Sequence, residues 1–390
     1  MKKYDFILNG GGAAGLSLAM HFHQNSFFKD KKILIIDAEK KSKNDRTFCI
    51  WKKNDILFEP IISKKWNKIN FLHPDFEKNI DLKEYQYAMI EGKNFYEYVF
   101  KNLYNNPNID FLQTHSKEWG STEEGAWVNT DKGFFEGQWL FNSIFNPKTE
   151  QKKGYHYYLQ HFKGWIIETK KPVFDDLSAT FMDFRLPQRA GEACFMYLLP
   201  TSPYKSLVEY TLFGTEILSD EEYENIIQKY IAETLQLNPT EFEIKETEFG
   251  IIPMYDEPFQ QKQSSFVMNI GTAGGATKAS TGFTFHNIQK QCEKIIENLI
   301  KKNTPFYTQK IFFQRFNLYD AILLEVMQKK ALKGADIFKI MFEKHQVQKI
   351  FRFLDNESNF LEELQIMASV PSKPFTQAFF NLMKKRFWNV

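Results

Sequence analysis

Apolar and polar positions in this chain follow two periods. Residues 4–9 (YDFILN) form a nearly unbroken apolar run, the pattern of a short buried strand. LSLAMHF, just after a glycine cluster, predicts a helix, and KKILIID predicts a second strand ending at Asp37. Residues 86–103 read as a short strand and then a helix. Residues 108–145 alternate with period two, as a hairpin set does. More strands are predicted over 155–168, 179–186, 193–200 and 206–213, a helix over 220–235, and a strand over 246–252 that ends at Pro253. From about Pro305 the pattern turns helical, with aromatic residues recurring at helical spacings.

The first candidate chemistry lies between the first strand and helix. Gly10-Gly11-Gly12-Ala13-Ala14-Gly15 is a G-x-G-x-x-G sequence in its full strand–turn–helix–strand context, with Asp37 at the next strand end, 22 residues beyond Gly15. Gly10 permits the tight turn, Gly12 lets backbone approach a pyrophosphate, and Gly15 lets helix and strand pack closely. The helix N-terminus offers free N–H groups and a positive dipole end to the phosphates. Asp37 is placed to accept ribose hydroxyls. A second glycine-rich turn, FVMNIGTAGGATKASTGFTF, occupies residues 266–285 and leads into another helical pattern. It resembles the late strand–turn–helix that closes over the ring in flavoproteins of the glutathione-reductase-like and hydroxylase-like class. FAD is therefore expected rather than NAD, with Gly271, Gly274, Gly275 and Gly282 allowing close approach.

Composition narrows the class. The 390 residues suggest two or three domains. With 43% hydrophobic and 25% charged residues the chain is globular. Its 50 Lys+Arg against 48 Asp+Glu exclude a surface dominated by nucleic-acid binding. Cys49, Cys194 and Cys292 share no spacing that makes a metal site or a disulfide framework, as in a reducing compartment. Forty Phe, 17 Tyr and 7 Trp fit either a compositional bias or a large apolar cavity or membrane-touching surface. The N-terminal apolar run contains Asp5, three glycines and a polar second half, so it does not read as a signal peptide. No stretch reaches about 18 apolar residues, so a cytoplasmic protein is expected, one that lies on a membrane if it meets one. The last helix, with Phe379, Phe380, Leu382, Met383 and Phe387 beside Lys384, Lys385 and Arg386, suits either a packed cap or an interface with lipid.

Seven segments in order carry a resemblance to a family. They are YDFILNGGGAAGLSLA, IIDAEKKSKNDRTFCIW, MIEGKNFYEYV, QHFKGWIIE with FMDFR, GIIPM, IGTAGGATKASTGF and LQIMASVPSKPF. Together they are similar to the FAD-dependent lycopene cyclases of carotenoid synthesis, in the bacterial beta-cyclase branch, from the N-terminus to about residue 375. Two departures stand out: Phe48 replaces the usual Trp after the D-R-T block, and Lys278-Ala279 replace a His-Pro. The resemblance implies an α/β (α+β) fold like the flavoprotein hydroxylases. Its Rossmann-like FAD-binding domain would take residues 1–75, 85–150 and 250–304. An interleaved antiparallel-sheet substrate domain would take 76–84 and 151–249, and a helical cap 305–390. Arg46 and Thr47 of the D-R-T block are expected near the FAD.

The resemblance also implies a redox-neutral reaction. A carboxylic acid protonates a terminal double bond of lycopene, a neighbouring double bond attacks the cation, and a ring proton leaves. Reduced FAD, kept so by NADPH or NADH, would stabilise the cation. The partners implied are lycopene or a related carotenoid and a membrane surface as its reservoir, with no metal and no nucleic acid. The acid must stay protonated in an apolar cavity. A literal FLEE occurs at Phe360–Glu363, but the family's acid motif precedes the GIIPM and IG-x-x-GG segments. Leu207-Val208-Glu209-Tyr210 occupies the matching place, so Glu209 is the expected acid, and Glu362 and Glu363 read as solvated helix residues. Period two puts Leu207, Glu209 and Thr211 on one strand face and Val208, Tyr210 and Leu212 on the other. A geranylgeranyl reductase or flavin monooxygenase of similar fold, or a non-catalytic isoprenoid-binding flavoprotein, are the competing classes.

Overall fold

The computed structural model describes residues 3–147, 151–308 and 314–387. The chain opens with β1 (Lys3–Asn9), α1 (Ala13–Gln24) and β2 (Ile33–Asp37), as predicted. Five short strands follow: β3 (Thr47–Lys52), β4 (Lys64–Trp66), β5 (Lys68–His73), β6 (Phe76–Asp81) and β7 (Gln86–Glu91). After α2 (Gly92–Leu103) come β8 (Ile109–Gln113), β9 (Ser116–Ser121), β10 (Ala126–Thr130) and β11 (Gly133–Asn142). The middle of the chain is β12 (Tyr157–Thr169), β13 (Ser178–Asp183), β14 (Ala193–Ser202), β15 (Lys205–Gly214), α3 (Asp220–Glu233) and β16 (Phe242–Tyr255). β17 (Val267–Asn269) and α4 (Phe285–Lys302) precede five further helices. These are α5 (Gln314–Gln328), α6 (Gly334–Lys344), α7 (Val347–Leu354), α8 (Phe360–Ser369) and α9 (Ser372–Phe387).

The first sheet has the order β8-β2-β1-β11-β10-β9, with β17 against the C-terminal half of β11. Its centre is parallel, and the short meander β9–β11 extends one side. The strands at that centre are apolar on both faces because α1, α2 and α4 cover one side, while Tyr4, Ile7, Leu34 and Ile36 pack with Ala126, Val128 and Val267 on the other. The larger sheet runs β16-β12-β15-β14-β13-β5-β6 and is antiparallel except for the β13–β5 pair. A third sheet, β3-β7-β4, is built from strands that flank β5 and β6 in sequence.

The two main sheets interleave along the chain, and at two points a segment pairs in the larger sheet and not where the sequence boundaries put it. β5 belongs with the larger sheet, not with residues 1–75 of the nucleotide-binding part. It is joined to β6 by the tight turn at Pro74-Asp75, and a hairpin's two strands stay in one sheet. At the other point, residues 250–255 complete β16 of the larger sheet. The strand passes through Pro253 because β16 is an edge with β12 as its partner, where a missing N–H is tolerated.

The two faces of β15 follow the predicted alternation. Val208, Tyr210 and Leu212 pack against Tyr223, Ile227 and Tyr230 of α3. The opposite face of the larger sheet turns toward the first sheet and the helical cap, where Phe181, Phe195 and Phe213 pack with Phe338, Phe342 and Phe351. Much of the aromatic content is thus core, and eight phenylalanines also line the cavity described next.

Candidate active site

The two glycine clusters shape one end of the site. Gly10 has φ +112°, and a side chain there would overlap Ser143 Oγ. A Cβ on Gly15 would overlap the Gly10 carbonyl oxygen, so the helix can pack this close to the strand only without one. Gly12 caps α1 with no side-chain hydrogen bond and with open space beside it. The first N–H groups of α1 are therefore left free for an anion. Asp37 lies against the same loop: its Oδ2 accepts a hydrogen bond from the Gly11 N–H at 2.7 Å, and its Oδ1 one from Glu39 N–H at 2.8 Å.

β17 lies parallel to β11 and brings the second cluster onto the first. A Cβ on Gly271 would come within 2.6 Å of Ala14 Cβ, although the two residues are more than 250 apart in sequence. Gly271, Gly275 and Gly282 all have left-handed φ (+60°, +77° and +70°). A side chain on Gly274 would overlap the Asn269 carbonyl, and one on Gly282 would overlap the Gln160 amide.

Between the glycine clusters and the larger sheet lies a cavity of about 430 Å³. Of the sequence-predicted residues, Gly12, Ala13, Ala14, Arg46, Thr47, Glu209 and Gly282 line it. Gly10, Gly15, Asp37, Gly271, Gly274 and Gly275 stand outside the lining and shape the turns behind it. Two lining residues, Gln160 and Thr281, carry buried side-chain oxygens without hydrogen-bond partners among the described residues. An apolar chamber with free helix N–H groups at one end and unpaired polar atoms on its wall fits a flat heteroaromatic dinucleotide.

Glu209 projects into this cavity from β15, flanked on its own face by Leu207, Thr211 and Phe213. Its Oε1 accepts a hydrogen bond from Thr211 Oγ1 at 2.7 Å. The β12 residue Gly164 lies opposite Glu209 on one side and opposite Glu248 of β16 on the other. A Cβ on Gly164 would meet Leu207 Cδ1 at 2.8 Å, Glu209 Cβ at 3.2 Å and Glu248 Cγ at 3.2 Å. The missing side chain lets the two carboxyls converge across β12 into mutual hydrogen-bonding reach. Glu248 Oε2 accepts from Thr47 Oγ1 at 2.8 Å, while among the described residues its buried Oε1 has no donor other than its carboxyl neighbour.

Two ionised carboxylates cannot hydrogen-bond to each other, so a proton lies between them. Burial pushes the Glu209 carboxyl well above its ordinary value near 4.5, and the adjacent Glu248 charge pushes it further. Glu248 is also raised by burial, but the Thr47 hydroxyl and the nearby Arg46 favour its charged form. The balance of these neighbours weights the shared proton toward Glu209. Around the pair, burial also drives the Cys49 thiol and the Tyr197 phenol far upward, so both stay neutral. Glu248 was missed in the sequence. Its one signal there is the lone Gly164 inside an otherwise bulky strand, which marks a close approach from both neighbouring strands.

A profile of the lycopene cyclase protein family matches residues 5–380. The chain belongs to the lycopene cyclase family. No curated protein sequence matches it. Among solved structures, a geranylgeranyl bacteriochlorophyll reductase-like protein from Thermoplasma acidophilum is similar over 99% of this chain and 97% of its own. Its TM-score is 0.64 at 13% identity. The p-nitrophenol 4-monooxygenase of Pseudomonas putida has a TM-score of 0.56 at 11% identity, with 98% of each chain covered. The flavin-dependent brominase Bmp2 has a TM-score of 0.59 at 11% identity, covering 99% of this chain and 100% of its own. At such identities these likenesses establish the fold, that of the flavoprotein hydroxylases.

In this lycopene cyclase family member, the departures noted in the sequence have structural counterparts. Lys278 turns away from the cavity into the cap, where its Nζ donates to both Asp320 carboxylate oxygens (2.9 and 3.1 Å) and to Asn356 Oδ1 (2.8 Å). Phe48 lines the cavity and packs on Phe95 and Phe285. The FLEE at Phe360–Glu363 lies on α8 in the cap, away from the lining. The expectation that its acids are solvated is corrected for both: Glu363 is fully buried and paired with Arg315, Tyr319 and Ser358, and Glu362 is half-buried and held by the Arg352 guanidinium. Arg315 lies 48 residues earlier in the chain, so the local helical pattern carries no trace of this pair. The basic end of α9 is likewise tied inward, Lys385 to Glu325 and Arg386 to Asp256, while Phe380 stays 64% exposed. The Phe387 side chain lies outside what the structure describes. Among the described residues no helix is long and apolar enough to cross a membrane.

Proposed function

We propose that this protein is a lycopene beta-cyclase that closes the linear ends of lycopene to beta rings, giving gamma- and beta-carotene, with Glu209 as the acid. The observation that carries the proposal is a buried carboxyl, set across β12 from a second buried carboxyl, on the wall of an apolar cavity whose other end is built from two glycine turns. Glu209 donates its proton to the terminal double bond of the polyene, the neighbouring double bond closes the ring, and a ring proton is lost to a base. Leu207, Phe195 and Phe213 hold the hydrocarbon end and keep out water that would capture the cation.

Gly10, Gly12, Ala13, Ala14, Gly15, Asp37, Arg46, Thr47, Gly271, Gly274, Gly275 and Gly282 would hold FAD. Bound in reduced form, with NADPH or NADH as reductant, FAD supplies negative charge beside the carbocation. The carotenoid reaches the site from a membrane surface, so a cytoplasmic protein lying on the inner face of the membrane is implied. Phe249 and Ile251, each 44% exposed and part of the lining on edge strand β16, suit such an entry.

The test is expression in lycopene-accumulating cells, with identification of the pigment, for the wild type and Glu209→Gln. Cyclic carotenoid from the wild type and none from the variant, with FAD retained by both, is expected. Consumption of one NADPH per product would instead assign a reductase or monooxygenase, and normal cyclisation by Glu209→Gln would remove the acid from the mechanism.

A further inference from the structure

We propose that Glu248 is a positioning residue for the chemistry: the ionised half of a proton-sharing pair that keeps Glu209 loaded and aimed at the cavity. This rests on Glu209 being the acid and adds a second carboxyl to it. Three observations carry it. Glu248 and Glu209 are cross-strand neighbours on either side of Gly164, and that glycine's empty Cβ position is what lets them meet. Glu248 is 5% exposed, and its Oε1 has no donor unless Glu209 holds a proton. Thr47 Oγ1, from the D-R-T block on β3, fixes the other oxygen at 2.8 Å and so pins the carboxylate toward Glu209.

Glu248 is not part of the cavity lining, so it acts through Glu209 and not on substrate. An acid between an apolar cavity and a buried carboxylate has one stable state, proton on, with its O–H shared toward the partner. On transfer, the Glu209 O–H bond breaks and a C–H bond forms at the polyene end. The pair becomes doubly negative as the substrate becomes singly positive. Return of a ring proton to Glu209 restores the starting state. No electrons are gained or lost. The dianion persists only while the cation sits beside it, since two carboxylates in contact repel strongly at low dielectric. The pair therefore stabilises the cation and drives recovery of the proton.

The charged and titratable groups facing the pair are few. Asp45 and Arg46, paired at 2.9 Å, approach Glu248 from the segment before β3. Cys49 of β3 and Tyr197 of β14 face Glu209 and remain neutral. None of the four supplies the missing donor to Glu248 Oε1.

The experiment uses FAD-loaded, chemically reduced protein with lycopene in phosphatidylcholine vesicles. It follows the cyclisation rate against pH for wild type, Glu248→Gln and Glu248→Asp. A second measurement titrates the protonated-carboxyl infrared band that is lost in Glu209→Gln. In Glu248→Gln the amide N–H donates to Glu209 and favours its carboxylate. The alkaline limb and the band midpoint should then both move about one pH unit or more toward acid. That reads as a roughly tenfold lower rate on the shifted limb, with near-wild-type rate recovered in acid. Glu248→Asp should keep most of the wild-type profile. If Glu248→Gln does not fold, the wild-type band and the Glu248→Asp profile decide: no Glu209-dependent band, or no shift in the Asp variant when Thr47→Val is added, overturns the pair. A Glu248→Gln profile superimposable on wild type, or lowered equally at every pH, also overturns it. If Glu209→Gln is inactive while Glu248→Gln is unshifted, only the pair falls. If Glu209→Gln cyclises normally, the acid assignment itself falls.

Discussion

Replacing Glu209 by Gln should remove the chemistry and stabilise the protein, and the stability gain should grow with pH. Burial and the adjacent Glu248 raise the folded-state carboxyl well above its ordinary 4.5, which the unfolded chain retains. Between those two values the folded protein holds one more proton than the unfolded chain. Stability contributed by this group is therefore full below about 4.5 and is lost as pH rises through the window. Each pH unit inside the window costs about 1.4 kcal/mol. Gln fills the same volume, keeps an acceptor for Thr211 Oγ1 and does not titrate. The variant should thus match wild type near the acid end and pull ahead by about 1.4 kcal/mol per pH unit above it. Glu248 remains in both proteins, and in the variant the amide N–H takes the place of the Glu209 O–H as its donor. The assay is denaturant unfolding followed by tryptophan fluorescence at a series of pH values from 4.5 upward, on both proteins in the same FAD-loaded state. A stability gap independent of pH would mean that Glu209 titrates like a solvated acid, and the reasoning that makes it a proton donor at neutral pH would be refuted.

Gly164→Ala inserts a methyl 3.2 Å from both Glu209 Cβ and Glu248 Cγ, so it should cost about 1–3 kcal/mol and lower cyclisation by pushing the carboxyls apart. Denaturation and pigment yield measure the two effects. Lys278→Ala should cost about 3–5 kcal/mol by stranding the buried Asp320 carboxylate, and adding Asp320→Asn should restore most of it in a double-mutant cycle. Gly10→Ala should abolish FAD retention during purification, because φ +112° and the overlap with Ser143 leave no place for a side chain; a variant that stays yellow would contradict this.

The glycine-rich strand–turn–helix–strand at the start of the chain was legible in the sequence because its constraints are local. Positive φ at Gly10 and the contact of Gly15 with Gly10 act within six residues, and strand, helix and acid follow at fixed spacings. The face of Glu209 was equally legible, since period-two alternation on one strand needs no knowledge of its partners. Segments whose meaning depends on distant partners were read less well. β5 looked like part of the first sheet until its pairing with β13 was seen. Pro253 looked like a strand end until β16 proved to be an edge, and Glu363 looked solvated until Arg315 was found against it.

Sequence alone determined the strand, glycine turn, helix and strand at one end of this protein and that Glu209 faces the same side of its strand as Leu207 and Thr211. The register of β12 against β15 and β16 decided the rest. It sets Gly164 between two acids from distant segments, while the pairing of β17 with β11 brings the two glycine clusters together behind the same cavity. Local chain geometry fixes φ, ψ and the facing of side chains. Which carboxyl loses its water, and which neighbour shares its proton, depends on what packs against it.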